Sequence, residues 1–142
     1  MTRLFLPFLT AALLTASAQA QEGHYFGKGS GGDITADLTQ LDDGNYAIAL
    51  TTVVPMENDL PGCAGSIEGE MTMTETGGKF FVENEDYQAG ASSPLNSERF
   101  CEIKFSIDDE GFLSIEEQSG CLTYHGASCE FTGPLINSNA VN

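Results

Sequence analysis

The stretch DITADLTQLDDGNYAIALTTVV, Asp33 to Val54, decides the fold class. In its first part Ile34, Ala36 and Leu38, with Gln40 in the same parity, alternate with Thr35, Asp37 and Thr39. A two-residue repeat puts one set of side chains on each face of an extended chain, the pattern of a half-buried strand. Asp42-Asp43-Gly44-Asn45 interrupts it with residues that tolerate positive φ. Tyr46, Ile48 and Leu50 then resume the alternation. Strand, tight turn and strand make an antiparallel hairpin.

The same pattern runs on in both directions. Cys63, Gly65, Ile67, Gly69, Met71 and Met73 share one parity, and Glu68, Glu70, Thr72 and Thr74 the other. Glycines inside such a run predict a bend or the close approach of another backbone. Thr76 to Lys79 turns into KFFVENEDY; Cys101, Ile103, Phe105 and Ile107 then alternate with Glu102, Lys104 and Ser106. Asp108 to Gly111 is a second hairpin turn, and GHYFGKG, FLSIEE and CEFTGPLI supply further strands. Pro55 to Gly62 and QAGASSPLNS are loops. The expectation is an all-β antiparallel meander of about eight strands, a barrel or sandwich that hides its edges.

The N-terminal MTRLFLPFLTAALLTASAQA has the form of a secretory signal peptide over residues 1–20. Arg3 precedes an apolar run too short to span a bilayer, and Ala18-Gln19-Ala20 is an A-x-A cleavage site. Residues 21–142 then form one domain, periplasmic or secreted, with no segment for membrane insertion. The location governs the cysteines. Cys63, Cys101, Cys121 and Cys129 are an even set in an oxidising compartment, so they read as disulfides. Four cysteines allow three connectivities. Cys63 and Cys101 both fall on the apolar parity of their strands, so a Cys63–Cys101 bridge is expected, leaving Cys121–Cys129 to clip a short loop.

Beyond residue 20 only Lys28, Lys79, Arg99 and Lys104 are basic, against 21 Asp and Glu, a net charge of −17. That balance repels nucleic acid and anionic surfaces and suits a basic protein partner or plain solubility. Chemistry-bearing motifs are few. There is no C-x-x-C and no G-x-S-x-G elbow. DDGN and DDEG are hairpin turns rather than calcium loops, because the D-x-[DN]-x-[DN]-G spacing is missing. The run Glu83 to Asp86 reads as a solvated strand end. His24 and His125 could share a metal only if the fold brought them together, so no metal, cofactor or enzymatic activity is expected.

The strongest local lead is GCLTYHGASCEF, Gly120 to Phe131. Tyr124, His125 and Gly126 lie between Cys121 and Cys129, and Gly126 permits a turn that would push its neighbours outward as a binding loop. The competing reading is a stapled loop with no role beyond stability.

With its TYHG core and following Phe-Thr-Gly, this stretch resembles a motif of small proteobacterial envelope proteins. The plan of leader, short strands and disulfides resembles the MliC/PliC periplasmic lysozyme inhibitors, and the cysteine-clipped histidine loop resembles that of the Ivy-type inhibitors. The resemblance implies a compact β-barrel that binds a basic hydrolase such as lysozyme, with His125 as the inserting residue and Cys121 and Cys129 holding its loop. The alternative is an acidic envelope protein with a purely structural loop.

Overall fold

The computed structural model describes residues 22–141; the signal peptide expected over residues 1–20 lies outside them. Eight strands follow in chain order: β1 (Gly23–Gly29), β2 (Gly32–Asp42), β3 (Asn45–Val54), β4 (Cys63–Thr72), β5 (Gly77–Glu83), β6 (Phe100–Ile107), β7 (Leu113–Ser119) and β8 (Gly133–Asn137). A single 3-10 turn, Ser138–Ala140, ends the described chain. The strands lie in the order β4-β3-β2-β1-β8-β7-β6-β5, every hydrogen-bonded neighbour antiparallel, and curl into a nearly closed barrel.

The decisive hairpin forms as its pattern requires. Ile34, Ala36, Leu38, Tyr46, Ile48 and Leu50 all point inward and are buried. Gly44 takes φ +82° in the turn, and the register slips between Gln40 and Asp42 to admit it. On the paired strands β5 and β6, Phe80 and Phe105 meet edge to face at 6.2 Å, and Phe131 completes a fully buried aromatic centre. Each such ring contributes roughly 2–3 kcal/mol of apolar burial.

The barrel is two four-stranded meanders, β1–β4 and β5–β8, joined along two seams. At the first, β1 and β8 pair only at Tyr25↔Asn137 and Phe26↔Ile136. At the second, no ladder joins β4 to β5 beyond the bridge Thr74↔Gly77 at their turn. Side chains close it instead. Gly69 lies under the Phe80 ring, where a Cβ would come within 3.0 Å of a ring carbon.

Strand direction sorts the connections onto two ends. One, the turn end, carries the tight connections after β2, β4 and β6. The other, the loop end, carries residues 30–31, 55–62, 84–99 and 120–132. Of the expected strand CEFTGPLI only the second half pairs, because the backbone N–H of Phe131 is taken by the Glu117 carboxylate at 3.0 Å rather than by a ladder.

Candidate functional site

The disulfide pairing differs from the parity expectation. The bridges are Cys63–Cys129, with Cα atoms 5.8 Å apart, and Cys101–Cys121, at 4.4 Å. Cys63 opens β4 and Cys101 lies in β6, with β5 between them in the wall. Two strand spacings amount to about 10 Å, beyond the reach of a disulfide. Cys101 instead meets Cys121 because β6 and β7 are hairpin partners, with Glu102 opposite Ser119. Both bridges sit at the loop end, and Cys121–Cys129 does not clip the TYHG segment.

That segment is held by a different device: it is wedged into the upper part of the β4–β5 seam. Gly65 of β4 bridges to His125, and the Ser66 N–H donates to the Tyr124 carbonyl at 3.0 Å. On the other side the Tyr124 hydroxyl donates to the Glu83 carbonyl, the last residue of β5, at 3.0 Å. Residues 124–125 thus bond to both strands where the strands do not bond to each other. Gly65 is what permits it, since a Cβ there would lie 2.3 Å from the His125 Cβ. Gly126 packs just as closely, its would-be Cβ 2.8 Å from the Cys63 sulfur. Burial pushes the Tyr124 phenol up, and Glu85 adds to the shift.

The expected outward presentation of His125 is not found. Its side chain is 3% exposed, stacked edge-on against Phe131 at 5.3 Å. Nε2 lies 2.9 Å from a Glu117 carboxylate oxygen and Nδ1 2.7 Å from the Gly126 carbonyl. Both partners are acceptors, so the ring donates from both nitrogens at once only as an imidazolium. Glu117 follows Leu113 and Ile115 in the inward parity of β7, where an apolar residue would be expected. It accepts from His125 and from the Phe131 N–H, which accounts for a carboxylate at the barrel mouth. An acid on the buried parity of FLSIEE was the signal that could have paired it with a histidine.

A second polar hub lies beside the wedge. Asn84 is 3% exposed; its amide donates to the carbonyls of Glu98 and Gly120, each at 2.9 Å, and its oxygen accepts from the Thr123 hydroxyl. It ties the loop after β5 to the loop after β7. The run Glu83 to Asp86 is solvated as expected at its three acids, but Asn84 within it turns inward, which its acidic neighbours mask in the sequence.

His24 lies at the opposite end of the barrel, on β1, 2.7 Å from Asp37, so the two histidines are not brought together. Among the described residues no group of three or more His, Cys, Asp or Glu is arranged to hold a metal ion. Asp108 does turn chemistry, accepting from the N–H groups of Glu110 and Phe112. No described helix is long and apolar enough to cross a membrane.

Charge is unevenly spread. Lys79, Arg99 and Lys104 all sit at β5–β6, where Lys79 pairs with Glu102 and Arg99 with Glu83. There Phe81 and Phe100 meet edge to face on the outer wall, and Arg99 lies 5.2 Å from the Phe100 ring centre. The turn end carries Asp42, Asp43, Glu75, Asp108, Asp109 and Glu110 with no Lys or Arg in those turns. Between these extremes a shallow trough runs over β2–β4, floored by Ala47 and Ala49 and edged by Asp37, Glu68 and Glu70. Compared with protein families, with curated proteins and with solved structures, the chain shows no significant match.

Proposed function

We propose that this protein is a non-catalytic binding protein of an oxidising compartment, periplasmic or secreted, whose partner is a basic protein, with a basic hydrolase such as lysozyme as the leading case. The observation that carries the reading is the unbalanced charge: 21 carboxylates against four basic residues in the described chain, three of those four gathered at β5–β6. A surplus of that size creates a long-range negative field that accelerates encounter with a cationic partner and turns away anionic ones. The two disulfides suit an extracytoplasmic home. The non-catalytic part rests on the histidines, which stand at opposite ends of the barrel, each engaged with a carboxylate.

In this reading the TYHG segment closes the barrel and does not enter a cleft. The test is binding and inhibition of lysozymes of the c, g and i classes by the oxidised protein at low and moderate salt. Affinity that falls steeply with salt and survives His125→Ala supports an electrostatically steered binder. Affinity that disappears in His125→Ala, while the variant stays folded, returns the histidine to the interface. The second reading, an acidic envelope protein with structural loops only, is favoured by the internal engagement of His125; it predicts no binding to any of these enzymes.

A further inference from the structure

The field just described is long-ranged and does not say where contact is made. We propose that contact is made by the tip of the loop after β3, Pro55 to Pro61, inserted into a cleft with an apolar floor and a cationic rim on the basic partner. This inference rests on the binding reading above and assigns it a surface.

The tip is a small hairpin built to hold its shape. Asn58 and Asp59 take φ +50° and +63°, and the Leu60 N–H donates to the Glu57 carbonyl at 2.9 Å. Two consecutive left-handed residues make the tightest of hairpin turns, and Asn and Asp are the non-glycine residues that enter that region most readily. Pro55 and Pro61 bracket the turn and fix φ on either side. Its base is closed by Gly62, where a Cβ would lie 2.6 Å from the Val54 carbonyl and 3.1 Å from the Met56 Cγ. The next residue, Cys63, is bonded covalently to Cys129. Little conformational entropy remains to be lost on docking, which favours affinity.

What this rigid tip displays is unusual for a turn. Met56 is 79% and Leu60 68% exposed, the two most exposed large apolar side chains among the described residues. Phe81 and Phe100, by contrast, meet edge to face on the strand wall, and the next most exposed apolar side chains, Val141 and Leu95, reach 58% and 53%. Nothing in the barrel covers Met56 or Leu60. A flexible thioether and a branched aliphatic chain suit an apolar floor of irregular shape. Glu57 and Asp59 stand between them, and the tip has no Lys or Arg. Carboxylates interleaved with apolar anchors match a cleft whose floor is apolar and whose rim is cationic, and the overall charge points to the same partner.

The experiment compares wild type, Met56→Ser/Leu60→Ser and Glu57→Gln/Asp59→Asn for binding to c-, g- and i-type lysozymes by calorimetry across a salt series. Circular dichroism and urea midpoints serve as a check on folding, which exposed side chains should leave unchanged. The expected result is a loss of about 30-fold or more in affinity for the serine pair with the salt slope intact, as for anchor residues. The amide pair should lose less affinity and show a shallower salt slope. A serine pair that binds like wild type overturns the tip assignment and leaves the binding reading standing. Wild type that binds none of the enzymes overturns both.

Discussion

The two ends of this barrel solve the same problem by opposite means. At the turn end, three short connections reverse the chain with local chemistry: glycines at positive φ and the Asp108 carboxylate accepting two backbone N–H groups. At the loop end three of the four connections are long, and long-range devices hold them: two disulfides, the Asn84 hub, the Glu117–His125 pair and the wedge in the β4–β5 seam. The turn end tolerates a concentration of like charge because its geometry is fixed within a few residues. The loop end cannot be assembled until distant parts of the chain are in place, so its stability is concentrated in a few contacts. Substitutions there should cost more.

Removing Cys63–Cys129 by a double alanine change should have the largest effect. The bridge spans 66 residues, and the chain-entropy argument assigns it about 4 kcal/mol. Urea denaturation should show that loss, and hydrogen exchange should show it as opening of residues 120–132 while the turn end stays protected. Asn84→Ala should follow at roughly 2–3 kcal/mol, since it strands two carbonyls and a hydroxyl. Gly65→Ala should cost about 1–3 kcal/mol by overpacking against His125. Its signature should be loss of protection at the Ser66 amide, which an unmoved wedge would retain.

At the turn end the corresponding change is smaller. Asp108→Ala should cost about 1 kcal/mol, because the freed N–H groups are exposed and can turn to water. A loss equal to that of Asn84→Ala in the same urea experiment would break the contrast between the ends. Tyr124→Phe should also cost only about 1 kcal/mol near neutrality, yet it carries a pH signature. Burial raises the Tyr124 phenol in the folded state above its unfolded value near 10. The stability it contributes is therefore fully present below pH 10 and is lost as pH rises through the folded value. The phenylalanine variant should decline less steeply in an alkaline melt; an identical slope would assign the alkaline loss to other groups, among them Tyr46, whose phenol burial also raises.

The same contrast explains what the sequence discloses. Period-two parity named the inward residues of the hairpin and of β6 correctly, apart from Gln40, which is exposed where the register slips, because whether a strand residue faces in or out depends only on its near neighbours. DDGN and DDEG were legible for the same reason. The cysteine pairing was not, since shared parity says which face a residue occupies and not which strands are neighbours. Counting outward from the DDEG turn would have brought Cys101 close to Cys121, but a bulge between Glu102 and Ile103 obscures that register. His125 was noticed for its rarity, and its burial depends on Gly65, 60 positions earlier, which no local pattern discloses. Glycine in a strand had predicted the close approach of another backbone, and that approach proves to be the histidine segment itself.

The seams also bear on how the molecule can be made. A chain read out from its N-terminus completes β1–β4 long before β8 exists, and for that interval both β1 and β4 are bare strand edges. Their covers arrive late, β8 over Phe26 and residues 124–125 over Gly65, from the last fifth of the chain. Such non-local closure is slow, and open edges recruit other chains in the meantime. Premature termination anywhere before residue 133 should therefore give aggregates rather than a smaller barrel, and a cell making this protein has reason to keep it unfolded, or attended by a chaperone, until synthesis is complete.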